Sequence, residues 1–340
     1  MPIRIDAPVP ARLETIAADA RRVEALGYDG LRVAELNSDP FLPLTLAAAE
    51  TERIELMTSV AVAFARNPMS LAQTAHDLNR YAGGRLILGL GSQVRAHIER
   101  RFSMPWHKAA AQMREFLQAM NAIFDCWYEG ERLDYEGEYY AHTLMPGTFR
   151  PEVGTAERPR LVLSATGPLM TKVAAEEADG MLMHPFSSAR YIREVTLPAI
   201  AAGLEQRQRT RDTFTLDYAP MVAMGNTDQE LETGIARLKE RIAFYGCTVA
   251  YRPVLELHGW GALQDELIPL NRAHRQADMA ALITDEMVET IGIVGPPVAV
   301  VQEMRARFDG LIDRTSLEPG ALDEAELATL FDALRADQDS

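Results

Sequence analysis

The segment Ile54–Gln73, IELMTSVAVAFARNPMSLAQ, begins as a buried strand and does not finish as one. Ile54-Glu55-Leu56-Met57 reads as a buried strand, with apolar side chains at the alternate positions Ile54 and Leu56. From Thr58 to Ala63 the side chains become small or β-branched. Arg66-Asn67-Pro68 then opens a stretch of helical period that stops at Gly83-Gly84. Strand followed directly by helix is one βα unit, and the small residues sit at its junction. In a buried strand they mark either a bulge or close packing, and they also leave room for something flat against the backbone.

The same alternation extends in both directions. IRIDAPV reads as a first strand, followed by the amphipathic helix ARLETIAADARRVEALG, which stops at Gly27. DGLRVAE is a second strand, with a helix from about Leu42 to Glu52. After the opening segment come the strands RLILGLG, RLVLSATG, DGMLMHP and FTLDYAPMVAMG, and GLIDRTSLE closes the set at eight. Eight strands with intervening helices predict an α/β fold, a (β/α)8 TIM barrel, as a single domain over residues 1–340. Three segments exceed the bare repeat. Glu129–His142 is an excursion with turn residues, RQRTRDT is a polar loop, and residues 251–290, with HGWG, form an insertion over one face.

Composition narrows the function classes. The formal charge of −15 argues against nucleic acid and anionic membranes as partners, and favours a small-molecule substrate. No apolar run reaches the roughly 18 residues a membrane span needs, and MPIRIDAPVPARLE has no apolar signal core. Cys126 and Cys247 lack metal-type spacing, which fits a reduced, cytoplasmic setting. No His-x-His or clustered His/Asp set lies at a strand end, so no metal is expected.

In a barrel of this kind the site lies where strands end and βα loops begin. That selects Glu35-Leu36-Asn37, Ser59 to Arg66, Gly91-Ser92-Gln93, Ala165-Thr166-Gly167-Pro168 and His184-Pro185. Gly-x-Gly in LGLGSQ follows a strand, but no third glycine completes a dinucleotide fingerprint. SATGP is either an anion-binding helix start or a plain helix cap by Thr166 with Pro168 in the first turn. Arg95, Arg100 and Arg101 form a local basic cluster, read as a solvated helix face or as a site for an acidic group.

TSVAVAFARNPMSLAQTAHDLNRYAGGRLILGLGS resembles the bacterial-luciferase-like superfamily of flavin and deazaflavin oxidoreductases, and more narrowly its coenzyme F420-dependent branch. ADGMLMHP, AIFDCWYEGERLDYEGEYY and YIREVTLPAIAAG follow in the matching order. The resemblance runs from about Gly27 to Gly203 and more thinly to Glu318. It implies a bulge in the third strand with a non-proline cis peptide, here Ser59–Val60, backing the cofactor ring beside Ala61. It further implies that Ser92 and Gln93 meet the ring or ribityl chain, and that His97 lies over the cofactor. Ala165, Thr166, Gly167 and Pro168 correspond to the phosphate-binding junction, and Glu35 to an acidic residue near ring and substrate. Relatives often follow that acid with a histidine; here Leu36 and Asn37 stand there, leaving Glu35 and His97, then His184, as candidates for handling a proton. The implied function is hydride transfer between F420 and a small organic substrate, in a homodimer. The alternatives are an FMN-dependent monooxygenase and a non-catalytic flavin-binding protein on the same barrel.

Overall fold

The computed structural model describes residues 3–317 and 322–335. Met1, Pro2, the last residue of the eighth strand segment (Glu318) and the extreme C-terminus of the 1–340 expectation lie outside the described residues. Eight parallel strands form the barrel: β1 (Arg4–Pro8), β2 (Gly30–Val33), β3 (Glu55–Thr58, resuming at Ala61–Val62), β4 (Leu86–Gly91), β5 (Arg160–Ala165), β6 (Gly180–Met183), β7 (Thr215–Asp217) and β8 (Arg314–Ser316). Each pairs with its sequence neighbour, and β8 pairs with β1, which closes the ring as a TIM barrel.

Helices α1 (Ile16–Ala25), α2 (Phe41–Ala49) and α3 (Pro68–Tyr81) cover the first strands. The start of α3 is set locally. The Asn67 side chain accepts a hydrogen bond from the Met69 N–H at 2.9 Å, and Pro68 occupies the first turn, where its missing N–H costs nothing. The main apolar core lies between sheet and helices, and includes Ile5, Leu31, Leu56, Leu88 and Leu163 from the strands.

The seventh strand segment divides. Thr215–Asp217 joins the barrel, whereas Met221–Met224 leaves it and pairs in parallel with Gly292–Gly295. Pro220 separates the two; without an N–H it cannot extend a ladder. Between the halves of that small sheet run the helices Asp228–Gly246, Arg252–Leu257, Gly261–Arg272, Gln276–Ala281 and Asp285–Ile291, and residues 251–290 belong to this segment. It holds its own apolar cluster, with Leu238, Ile242, Leu267 and Val288 fully buried. The excursion at 129–142 carries a short antiparallel hairpin, Tyr135–Glu136 with Ala141–His142.

Candidate active site

The register of β3 against β4 accounts for the small residues. Met57 pairs with Ile87 and Ala61 with Leu90, so β3 takes four steps where β4 takes three. One residue too many is a bulge. The Ser59–Val60 peptide within it is cis. The backbone of the bulge is satisfied by its neighbours: Ser59 N–H donates to the Val33 carbonyl at 2.8 Å, and the Val60 carbonyl accepts from Glu35 N–H at 3.2 Å. The glycines of LGLG make way for it. A Cβ at Gly89 would lie 2.0 Å from the Thr58 carbonyl oxygen, and one at Gly91 would lie 2.8 Å from Val60 Cγ2.

Glu35 braces the same wall. Its Oε2 accepts from Val62 N–H at 2.7 Å and from the Arg66 guanidinium at 2.6 Å, and Arg66 also holds Asp39 at 2.9 Å. One carboxylate thus joins the end of β2 to the chain leaving the bulge.

Beside the bulge, at the C-terminal mouth of the barrel, is a cavity of about 490 Å³. Side chains alternate inward along each strand, and the last inward positions are mostly small: Pro8, Ala34, Ser59, Ser164, Ala219 and Ser316 all line it. One layer lower, Arg32 and Asp217 form a charged floor. Arg32 donates to Asp217 at 2.7 and 3.3 Å and also pairs with Asp6. Burial pushes the Asp217 carboxyl up from its ordinary value despite Arg32, with Asp6 adding to the rise. For Asp6 burial acts the same way but is outweighed by Arg314 and Arg32, so its carboxyl falls below the ordinary value.

His184 completes the rim. Burial, with Arg241 nearby, lowers it to about 4, so the ring is neutral at pH 7. Its Nδ1 accepts the Phe186 N–H at 3.1 Å, which assigns the ring proton to Nε2. Tyr251 stacks on it at 4.4 Å between centroids and bonds the Thr166 side chain through its hydroxyl. The segment outside the barrel is thereby fastened to the ends of β5 and β6.

Of the residues singled out from sequence, Ser59 and Val60 line the cavity, and Ala61 is fully buried directly behind them. Ser92 and Gln93 continue from β4; Gln93 has φ +59°, and its side-chain oxygen accepts the Val94 N–H. His97 is exposed on the short helix Arg95–Arg100 and does not line this cavity. At Ala165–Pro168, Gly167 turns with φ +76° into the helix Pro168–Glu177, whose first N–H groups point back toward the mouth. Arg32 and Asp217 were not singled out, although each is a charge between apolar or aromatic neighbours, in LRV and LDY. Among the described residues, no group of three or more His, Cys, Asp or Glu side chains could hold a metal ion.

Known proteins share this architecture. A solved structure of the coenzyme F420-dependent tetrahydromethanopterin reductase of Methanopyrus kandleri superposes with a TM-score of 0.77 at 20% identity, covering 98% of each chain. In sequence, an uncharacterized protein of Mycobacterium tuberculosis is 46% identical over 312 residues, 92% of each chain. A 5,10-methylenetetrahydromethanopterin reductase of Archaeoglobus fulgidus is 30% identical over 276 residues, 79% of this chain and 77% of that one. Residues 2–314, the whole barrel to its last strand, match the luciferase-like monooxygenase family, to which this chain belongs.

Proposed function

We propose that the protein is an F420-dependent oxidoreductase that moves a hydride between the deazaflavin and a small organic substrate. The observation that carries this reading is the bulge wall: a peptide surface with no bulky side chain, flanking a cavity of about 490 Å³ at the barrel mouth. Coenzyme F420 is named for the Methanopyrus reductase that shares this fold, and that supports the choice of cofactor.

The residues present fit such a group. Ser59 and Val60 would support one face of the ring, and Ala61 keeps the volume behind them small. Ser92 and Gln93 would meet the ring edge or ribityl chain, with His97 beyond them. The Ala165–Pro168 turn would accept phosphate through the free N–H groups of the following helix. When bound, the deazaflavin supplies a carbon that gives or takes hydride. The protein's own tasks are then orientation, exclusion of water and custody of a proton. Glu35 orients, because its carboxylate is engaged by Arg66 and the Val62 N–H. Tyr251 shields the rim over His184. His184 lines the cavity as a neutral ring. The enzyme would work as a cytoplasmic homodimer, with the exposed Leu42 and Leu46 of α2 available to a second copy.

The test is titration of purified protein with F420 and with FMN, followed by absorbance and fluorescence. Binding of F420, with bleaching of its reduced form on addition of substrate, is expected. Tight FMN binding without F420 affinity would replace this reading with the monooxygenase chemistry in the family's description.

A further inference from the structure

The chain that leaves β4 reaches across the end of β3. It passes through the short helix Arg95–Arg100, after which the Arg101 guanidinium donates to the Leu36 carbonyl and lies over the Phe102 ring. Leu36 follows β2, and β3 lies between β2 and β4 in the barrel. Residues 93–103 therefore span the strand end that carries the bulge. Among the described residues, the bond from Arg101 is the segment's only hydrogen bond to a distant part of the chain.

The arrangement is costly to hold. Four non-glycine residues among those described have positive φ, and two of them, Gln93 at +59° and Ser103 at +55°, bracket this segment. A side chain with a Cβ disfavours that region. At Ser103 the turn ends the helix, with Met104 N–H donating to the Ile98 carbonyl at 3.0 Å, a place where glycine is the usual residue. Between the two, Ile98 alone is buried, whereas Val94 is 54% exposed. One buried side chain and one exposed hydrogen bond thus oppose two strained residues. Balances of that kind belong to segments with a second arrangement close in free energy.

In the present arrangement Ser92, Gln93 and His97 do not line the cavity. The oxidoreductase reading sets the first two against a bound ring, which the segment meets only by moving inward. We propose that residues 93–103 form a strap that closes over a ligand in the barrel mouth, turning about Gln93 and Ser103, and that Arg101 on Leu36 is the latch holding it open. Closing returns both hinge residues to negative φ, breaks the latch bond and carries the exposed Val94 onto the ligand. The ligand favours the closed form through contacts made only there. That the ligand is the cofactor rests on the oxidoreductase reading; the two arrangements and the latch do not.

The experiment reads amide exchange of residues 94–102 and fluorescence titrations with F420 and with FMN, in wild type, Ser103→Gly and Arg101→Ala. Glycine relieves the left-handed hinge and so favours the latched form. Ser103→Gly is therefore expected to slow exchange without cofactor, and to weaken binding of whichever cofactor wild type takes by about fivefold. Arg101→Ala removes the latch, so exchange should quicken while binding tightens by about threefold, because more of the protein is ready to close. Structural damage at the mouth would weaken binding instead. In wild type the bound cofactor should slow exchange of the segment. Weaker binding by Arg101→Ala, or unchanged or tighter binding by Ser103→Gly, overturns the strap. Cofactor bound without added protection of residues 94–102 also overturns it and leaves the cofactor assignment standing. If neither F420 nor FMN binds wild type, the cofactor assignment fails, and the strap falls with it unless the two variants shift cofactor-free exchange in opposite directions. A variant that does not fold leaves the wild-type comparison and the other variant to decide.

Discussion

A methyl group added at Gly89 would fall 2.0 Å from the Thr58 carbonyl oxygen, and that oxygen belongs to backbone that cannot swing away. At Gly147 the same methyl meets nothing within 4 Å. Gly89→Ala should therefore lose about 1–3 kcal/mol of stability, as overpacked cores do, while Gly147→Ala stays within about 0.5 kcal/mol of wild type. Urea unfolding midpoints measure both. If Gly89→Ala is neutral, the bulge is not what the glycine accommodates. Glu35 invites a different substitution. Glu35→Gln keeps the shape but removes the charge that Arg66 and the Val62 N–H share. Charge-assisted hydrogen bonds contribute about 1.5–3 kcal/mol, so the expected results are a loss in that range and a weaker cofactor complex, read by urea unfolding and F420 fluorescence. Unchanged stability and unchanged binding together would remove Glu35 from the wall. Much of this detail escapes a single sequence. The small run from Thr58 to Ala63 is visible as an anomaly, but the extra residue appears only when Met57–Ile87 and Ala61–Leu90 fix the register. Arg32 and Asp217 were legible as charges inside apolar strands, and the alternation of side chains confines each to one of two strand faces. What sequence withholds is which of the two strand faces turns inward.

Elements add constraints of their own. Helical and strand periods disclosed the βα alternation, because one side of each helix must cover apolar sheet. They misjudged the seventh strand segment, since Asp217 and Met221 read as one strand until Pro220 is given its due. The segment that follows is tied to the barrel at several points: Tyr251 stacks on His184 and bonds Thr166, Ser188 bonds His258 at 2.8 Å, and Phe186 and Tyr191 share its apolar cluster. Tyr251→Ala removes both contacts, and amide exchange across Val249–Leu257 should accelerate while that of β5 and β6 holds. Equal protection in both proteins would show that the segment is anchored elsewhere. His184 under this cover also makes stability depend on pH. Its folded value of about 4 lies below the ordinary 6.5, so between those values the unfolded chain binds a proton that the folded one does not. Stability then falls as pH drops from 6.5 toward 4, by at most about 1.4 kcal/mol per pH unit. His184→Asn, which keeps an acceptor for the Phe186 N–H, should flatten that part of the profile in urea titrations at pH 4.5, 5.5 and 6.5. An unchanged slope would mean that other groups produce it.

For the whole molecule, the decisive contact joins the two ends of the chain. Arg314 on β8 donates to both oxygens of Asp6 on β1 at 2.6 Å, across 308 residues of sequence, and continues to Glu55 on β3. Beside this ladder of charges, Met57, Ile87, Val162 and Leu182 form a separate buried apolar cluster. An ionic core section must be complete to be tolerated, since the cost of taking charges out of water is recovered only while each has its partner. Arg314→Met should therefore be far worse than removal of a surface pair. It leaves Asp6 and Glu55 with one fewer guanidinium each, Asp6 fully buried, and is expected to lose about 3–5 kcal/mol. The loss has a pH signature. Asp6 is held below its ordinary value chiefly by Arg314 and then Arg32, so in wild type its contribution is present above the ordinary carboxylate range and fades as pH falls through it. In Arg314→Met that acid-sensitive portion should shrink, so the variant and wild type converge in stability as the pH is lowered. Adding Asp6→Asn to Arg314→Met removes the stranded charge and should recover part of the loss. If the double variant is no more stable than the single one, Arg314 acts through its packing volume, and the ends of the chain are joined by shape rather than by charge.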